Sequence, residues 1–183
     1  MKKLLIAIVV VVLAGLGIYY FVHSRASSTT PAPITIATDT THPDPSDATF
    51  QFADGPVTLK DGSATTNLTP NGEITEETDL SDSIAYGDLN GDGKNDAAFL
   101  LVQTTPGTGV FFNVAAYVSG LVNYSGSNAI FLGDRIIPKS ISIAKGIITV
   151  TYLDRTASEA MTDDPTVLTT KTFAYTGGQL VEK

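Results

Sequence analysis

The stretch Ser140–Tyr152, SISIAKGIITVTY, decides the fold class of this chain. On each side of Lys145-Gly146, isoleucine or valine alternates with serine or threonine. Alternation with a period of two is typical of a β-strand that buries one face, and the lysine–glycine pair suits the turn between two such strands. The stretch therefore predicts a β-hairpin of two half-buried strands.

Other segments extend this pattern. Phe99–Val102 and Val110–Val118 are continuous apolar runs with β-branched and aromatic residues, which indicates buried central strands. A threonine-rich strand and a short closing strand flank a glycine turn near the C-terminus, and another hairpin surrounds an Asp-Gly pair near residue 54. These last two strand pairs are Val167–Tyr175 with Gln179–Val181, and Phe50–Phe52 with Val57–Leu59.

Two stretches lack this alternation. Asn67–Ser83 is polar and acidic and is predicted to be a loop. A short helix could form at Glu73–Asp79 or at Ala157–Met161, although neither segment carries a long apolar face. The predicted fold is therefore mainly β: one small domain built as an antiparallel sheet or sandwich, with at most one short helix.

The N-terminus predicts a membrane segment. Residues 4–22, LLIAIVVVVLAGLGIYYFV, carry no charge and would span roughly 28 Å as a helix, close to the thickness of a bilayer core. Lys2 and Lys3 precede this run, which places the N-terminus in the cytoplasm and the rest outside. We expect residues 1–23 to be a transmembrane signal anchor in the cell membrane. A cleavable signal peptide with a site at Ser24-Arg25-Ala26 is the alternative.

Residues 24–49 are rich in serine, threonine and proline and contain few bulky apolar side chains. Such a segment cannot bury enough surface to offset its ordering entropy, so we expect a disordered linker. The extracytoplasmic domain is then predicted at residues 50–183. Both histidines, His23 and His42, lie outside this predicted domain.

Composition limits the function. The formal net charge is −8 and Lys and Arg are not clustered, which argues against nucleic acid as a partner. The chain has no cysteine, so it has neither a disulfide nor a lipid-bearing thiol. Without cysteine, and with both histidines outside the domain, the usual nucleophilic triads and zinc sites lack their residues. The sequence therefore predicts a protein that is not an enzyme.

One motif contains side chains that could bind a metal ion. Residues 87–98 read GDLNGDGKNDAA and fit the pattern D-x-N-x-D-G-x-x-D. Calcium prefers six to eight oxygen ligands, and side-chain oxygens at every second residue can converge when a glycine such as Gly93 allows a tight turn. The predicted calcium ligands are the side chains of Asp88, Asn90, Asp92 and Asp96 and the backbone carbonyl of Lys94.

An EF-hand and a metal-free turn are the two other interpretations of this loop. An EF-hand needs a glutamate at the twelfth position, where this chain has Phe99, and a second helix where this chain has a predicted strand. An Asp/Asn/Gly-rich β-turn without metal is the simpler alternative, since the same residue types favour turns. Four side-chain oxygen donors within nine residues favour calcium.

The motif resembles the calcium hairpins of FG-GAP and integrin-type propeller blades, which share D-x-N-x-D-G-x-x-D. The chain has one copy, so the propeller fold does not carry over. Residues 84–175, with GDLNGDGKNDAAFLL, GVFFNVAAYV, IFLGDRI and ISIAKGIITVTYLDR, are similar to a family of uncharacterised exported bacterial proteins. That resemblance implies an envelope location and a shared fold, and it implies no activity.

Charged residues elsewhere suggest alternatives. Asp134-Arg135 and Asp154-Arg155 each follow apolar strand residues, so the two arginines could clamp an anion or form strand-end salt bridges. The acidic run Glu76, Glu77, Asp79 and Asp82 could complete the calcium shell or form a solvated loop.

The predicted function is a membrane-anchored extracytoplasmic calcium-binding domain that acts as a non-enzymatic binding or accessory module of the cell envelope. One alternative is a ligand-sensing or hydrolase-like domain that uses Arg135, Arg155 and nearby acids. Another is a structural envelope protein that acts by self-association. The protein or envelope component that it would bind is left open.

Overall fold

The computed structural model describes residues 42–183, and every regular element in that range is a β-strand. The strands are β1 Thr49–Phe52, β2 Gly55–Thr58, β3 Ser63–Asn67, β4 Thr75–Gly87, β5 Asp96–Thr104, β6 Val110–Ser119, β7 Tyr124–Gly126, β8 Ile130–Asp134, β9 Ile137–Ala144, β10 Ile147–Asp154, β11 Val167–Thr176 and β12 Gln179–Glu182.

Three antiparallel units make up this region. A central six-stranded sheet has the order β3-β4-β5-β6-β7, with β8 pairing β6 on the same side as β7. A four-stranded sheet has the order β12-β11-β10-β9. The third unit is the β1–β2 hairpin. Most pairs are neighbours in the sequence, as expected for an antiparallel meander joined by short turns.

Two hydrophobic cores lie on opposite faces of the central sheet. The first core packs Leu100 and Val114 of the central sheet against Ile148, Val150 and their neighbours in the four-stranded sheet. The second core packs the alternate residues of β5 and β6 against the β1–β2 hairpin. Because both faces of β5 are covered, six consecutive residues of this strand are buried, which explains its continuous apolar sequence.

The hairpin docks through a short backbone bridge. The amide of Gln51 donates to the carbonyl of Ser127 at 3.1 Å, and the amide of Ala129 donates to the carbonyl of Gln51 at 2.9 Å. Gly126 allows this approach, because a Cβ atom there would lie 2.1 Å from the carbonyl oxygen of Thr49. The close contact fixes the hairpin over one half of the second face.

The predicted strands are confirmed. β9 and β10 form the hairpin predicted from Ser140–Tyr152, with Lys145 and Gly146 at its turn. The two apolar runs form the adjacent central strands β5 and β6. The predicted hairpins at both ends of the domain are β1–β2 and β11–β12.

The predictions for the polar stretches are wrong. Most of Asn67–Ser83 is strand, because β4 pairs β3 on one side and β5 on the other. No helix forms in the described range, either at Glu73–Asp79, which lies mostly in β4, or at Ala157–Met161, which forms turns. Tertiary pairing therefore overrides the weak strand propensity of Thr, Glu and Asp in this segment.

The packed region begins before the predicted boundary at residue 50. Pro43 and Ala48 are buried, and the ring of His42 stacks on Tyr86 with centroids 4.1 Å apart. The predicted transmembrane anchor at residues 1–23, and most of the predicted linker at residues 24–49, lie outside the described residues. Within residues 42–183 there is no helix long and apolar enough to cross a bilayer.

Candidate metal centre

The predicted calcium motif forms the loop between β4 and β5. Gly87 and Asp96 are paired across the two strands, so the residues between them form a hairpin loop at the end of the central sheet. Gly91 and Gly93 have φ angles of 80° and 82°. Glycine adopts this left-handed region at little cost, and the two positions therefore let the loop turn tightly.

Asp88 organises the first half of the loop. Its Oδ1 accepts a hydrogen bond from the amide of Gly91 at 2.6 Å, and its Oδ2 accepts one from the amide of Gly93 at 3.0 Å. A carboxylate offers about four lone-pair sites, so each of these oxygens keeps acceptor capacity.

Asn90 and Asp92 form successive turns of the same kind. The Oδ1 of Asn90 accepts from the amide of Asp92 at 3.0 Å, and the Oδ1 of Asp92 accepts from the amide of Lys94 at 2.9 Å. Such contacts two residues apart are side-chain turns, which agree with the metal-free interpretation of the motif. They also hold the side chains at the spacing that the calcium pattern requires.

Asp96 is the buried hub of the site. Its side chain is inaccessible to solvent and accepts hydrogen bonds from the amides of Leu89 and Ser119 at 2.7 and 2.8 Å, and the Ser119 hydroxyl lies 2.8 Å from the same carboxyl group. These bonds tie the loop to the starting residue of β5 and the last residue of β6. A buried carboxylate requires such donors, because an unsatisfied charge in this position would be costly.

The Ser119 hydroxyl lies between two carboxylates. Its Oγ is 2.8 Å from Oδ1 of Asp96 and 2.7 Å from Oδ2 of Asp92. A serine hydroxyl has one hydrogen to donate, so only one of these two short contacts can be a full hydrogen bond. The Nζ of Lys94 lies 4.0 Å from Oδ2 of Asp92 and donates to the carbonyl of Gly120 at 3.2 Å.

The pKa of Asp92 is lowered. Burial alone would raise this pKa, but hydrogen bonds from the amide of Lys94, from Ser119 and from Asn90, together with the charge of Lys94, outweigh the effect of burial. The carboxyl is therefore held in its ionised form, which is the form that binds metal.

The chemistry of these side chains fits calcium, because all the candidate donors are oxygens. Their positions do not yet form a complete metal site. Among residues 42–183, no three acidic, histidine or cysteine side chains lie together closely enough to hold a metal ion. The loop is thus ordered by its own hydrogen bonds, and the carboxyl groups of Asp92 and Asp96 meet at the hydroxyl of Ser119.

The two Asp–Arg pairs do meet, at the ends of β8 and β10. Arg135 forms a two-point contact with its neighbour Asp134 at 3.0 and 3.2 Å. Arg155 donates to the backbone carbonyls of Asp134 and Arg135 at 3.3 and 3.2 Å, and to that of Asp163 at 2.5 Å. Both guanidinium groups therefore have intramolecular acceptors, and the geometry favours the structural interpretation of these residues over an anion clamp.

The acidic residues of β4 lie in different surroundings. Glu76 and Glu77 lie at the opposite end of the β4–β5 ladder from the loop, since Glu77 pairs with Thr104. Asp79 accepts a hydrogen bond from Ser63 at 2.5 Å. Asp82 is an exposed residue of the same strand, and among residues 42–183 none of these four side chains forms a hydrogen bond or ion pair with the loop.

Sequence reasoning missed Ser119 and Tyr124. Ser119 ends β6, and the Tyr124 hydroxyl donates to the carbonyl of Asn95 at 2.9 Å. Both residues come from the neighbouring β6–β7 hairpin, and only the pairing of β5 with β6 brings them to the loop. The motif itself contains no signal for them.

No family model, curated protein or solved structure matches this chain. The site must therefore be interpreted from its own geometry.

Proposed function

We propose that this chain is a membrane-anchored extracytoplasmic module, that its loop Asp88–Asp96 binds calcium, and that it acts by binding rather than by catalysis. The observation that carries the proposal is the position of the Ser119 hydroxyl, 2.7 Å from Oδ2 of Asp92 and 2.8 Å from Oδ1 of Asp96. Two carboxyl groups that share one hydroxyl hydrogen lack a second donor between them, and a divalent cation beside them would supply a positive partner for both.

The bound ion would act as a structural clamp. Asp88, Asn90, Asp92 and the carbonyl of Lys94 belong to the loop, whereas Asp96 begins β5 and is bonded to the end of β6. Calcium would supply positive charge at the point where these three segments meet. Extracellular calcium modules bind with dissociation constants of about 10⁻⁴–10⁻³ M and stay occupied outside the cell, which suits a structural role.

Calcium binding can be measured on the full chain in detergent micelles by isothermal titration calorimetry and thermal melting. If the free calcium concentration is a hundred times the dissociation constant, linkage adds about 2.7 kcal/mol of stability. For a chain of this size that amounts to roughly 5–10 °C in Tm.

Asp92→Asn should abolish the calcium-dependent rise in Tm. Asp82→Asn makes the same change of charge at an exposed position in the middle of β4 and should keep the rise. Equal rises in both variants, or none in the wild type, would reduce the loop to a metal-free turn.

The location is proposed on the N-terminal sequence. Residues 1–23 would anchor the chain, with residues 42–183 on the outer face of the membrane. Protease added to intact cells should digest the domain and leave a short membrane-bound fragment. Protection of the domain until the cells are lysed would rule out this orientation.

Self-association is a second candidate function. Leu121 is fully exposed and Val122 is 88% exposed at the tip of the β6–β7 hairpin, beside the Asp88–Asp96 loop. Adjacent exposed aliphatic residues are typical of contact surfaces. Sedimentation velocity of the wild type should show a species larger than the monomer. The double variant Leu121→Ser, Val122→Ser should lose this species. The control Leu168→Ser, at an exposed leucine of β11, should keep it.

A further inference from the structure

A cleft of about 500 Å³ lies between the tip of the β1–β2 hairpin and the end of the central sheet that the hairpin leaves uncovered. Small-molecule pockets have volumes of roughly 300–1,000 Å³. Gln103, near the end of β5, lines the cleft, whereas Asp96 at the start of the same strand belongs to the candidate metal loop. The cleft is therefore a separate site, and its use does not depend on calcium.

The floor of the cleft is a chain of three polar side chains on neighbouring strands. Asn113 donates from its Nδ2 to the Oε1 of Gln103 at 3.1 Å, and Gln103 donates from its Nε2 to the Oε1 of Glu76 at 2.6 Å. Asn113 is 5% exposed, so the chain is anchored in the core of the domain. Both ends of the Gln103 amide are engaged, and this fixes the position of the Glu76 carboxylate.

The charge of the cleft is negative. Glu76 and Asp54 are its two ionisable lining residues, and no lysine, arginine or histidine lines it. Neither carboxylate takes part in an ion pair of the described region. The second oxygen of Glu76, Oε2, has no hydrogen-bond donor among residues 42–183. The carboxylate is thus held in place by one oxygen, while the other has no protein partner.

Burial raises the pKa of Glu76, and the charge of Asp54 raises it further, although the hydrogen bond from Gln103 acts in the opposite direction. The carboxylate therefore lies where its charge is unfavourable. A bound cation would reverse this effect, because an opposite charge at close range favours the ionised form.

Aromatic and aliphatic side chains form the walls. The rings of Phe111 and Phe131 have centroids 6.2 Å apart and are tilted by 57°, and Phe131 is 54% exposed. Leu68 on the opposite rim is 50% exposed. Exposed rings provide apolar contact area, and their faces attract cations.

We propose that this cleft binds a small organic cation: a primary ammonium group on Glu76, with an apolar body against Phe111 and Phe131. The Glu76 carboxylate, which has no ion-pair partner, favours a positively charged ligand. The apolar walls favour a ligand with an apolar body. An anionic ligand would meet two carboxylates without a compensating cation. A neutral ligand would leave the half-buried Glu76 without a counter-charge.

Three probes of matched shape test the proposal: 2-phenylethylammonium, neutral 2-phenylethanol and anionic 3-phenylpropionate. Each is titrated into the full chain in detergent micelles, with binding followed by calorimetry and by the chemical shifts of the side-chain amides of Gln103 and Asn113. The titration is run in chelator, so that the metal loop plays no part. The cation should bind at least about tenfold more tightly than the alcohol, and the anion should bind least.

Glu76→Gln should reduce affinity for the cation to that for the alcohol. Glu77→Gln removes the same charge from an exposed position on the same strand and should leave the affinity unchanged. If Glu76→Gln alters the melting curve, Asp54→Asn at the exposed hairpin tip serves as a second variant and should weaken the cation alone. Equal affinity for the three probes, no saturable binding, or equal losses in the Glu76 and Glu77 variants would overturn the proposal.

Discussion

Thr78 is buried with its hydroxyl unpaired. The residue lies in β4, opposite Gln103, is fully buried, and its Oγ1 has no hydrogen-bond partner within residues 42–183. A buried polar group without a partner costs about 1–3 kcal/mol, while replacement by an apolar group of the same shape removes that cost.

We therefore expect Thr78→Val to raise the free energy of unfolding by about 1 kcal/mol, measured by urea denaturation. Ser127→Ala is the control. The Ser127 hydroxyl accepts from the amide of Ala116 at 2.9 Å and donates to the carbonyl of Asn128 at 2.8 Å, so its loss should destabilise the domain. A destabilised Thr78→Val variant would mean that the hydroxyl has a partner in solution.

A second prediction concerns Glu76 and the dependence of stability on pH. Its pKa is raised in the folded domain, chiefly by burial. Between the ordinary pKa of a glutamate and this raised value, the folded chain keeps a proton that the unfolded chain has released, so stability falls as the pH rises through this window. Glu76→Gln removes the titrating group and keeps an oxygen for Gln103.

The stability of Glu76→Gln relative to the wild type should therefore grow as the pH rises from the ordinary pKa of a glutamate to the raised pKa of Glu76, measured by chemical denaturation at a series of pH values. If the variant is more stable at neutral pH and has lost cation binding, Glu76 lowers the stability of the domain and serves ligand binding. A stability difference that is constant over this range would contradict the raised pKa.

At the scale of elements, strands with alternating or continuously apolar sequences could be predicted, because the pattern of apolar residues follows directly from which faces of the strand are buried. The strand β4 was not, since TEETDLSDS has one apolar residue and is held as a strand by its two neighbours. The loop between Gly87 and Asp96 was predictable as a turn with oxygen donors. Ser119 was not, because its place beside Asp96 depends on the pairing of β5 with β6.

The cleft could not be predicted from the sequence either. Its polar residues Glu76, Gln103 and Asn113 lie on three different strands, and each of them alone resembles an ordinary surface residue. The hydrogen bonds between them exist only because the three strands are adjacent and in register. Long-range pairing of this kind leaves no local pattern in the chain.

The docking of the hairpin gives the third prediction. A Cβ atom on Gly126 would lie 2.1 Å from the carbonyl oxygen of Thr49 and 2.8 Å from the ring of Phe50, so the hairpin must move away. We expect Gly126→Ala to cost about 3 kcal/mol of stability, measured by chemical denaturation. Gly107→Ala, where the nearest atom is 3.9 Å away, should change stability by less than about 0.5 kcal/mol.

The same variant separates the two proposed sites. Displacing the β1–β2 hairpin removes one wall of the cleft, whereas the Asp88–Asp96 loop is held by hydrogen bonds to Ser119, Gly120 and Tyr124 of the β6–β7 hairpin. Gly126→Ala should therefore weaken cation binding and keep any calcium-dependent rise in Tm. Loss of both would indicate global unfolding and would count against local displacement of the hairpin.

At the scale of the whole molecule, the central sheet separates two different surfaces. One face is sealed by the four-stranded sheet and forms a continuous core. The other is covered in part by the hairpin, and the uncovered part is the cleft. The candidate metal loop and the cleft lie at opposite ends of β5, so ligands in the two proposed sites would not contact each other.

The backbone bridge between β1 and residues 127–129 also has a consequence for the expected order of assembly. Among the strands of residues 42–183, β1 is synthesised first, yet its partners Ser127 and Ala129 follow only after β6 and β7. Contacts that close long loops form after local hairpins. We therefore expect the hairpin to dock late in folding, after the strands that carry its partners have paired. The cleft would then form only with that step.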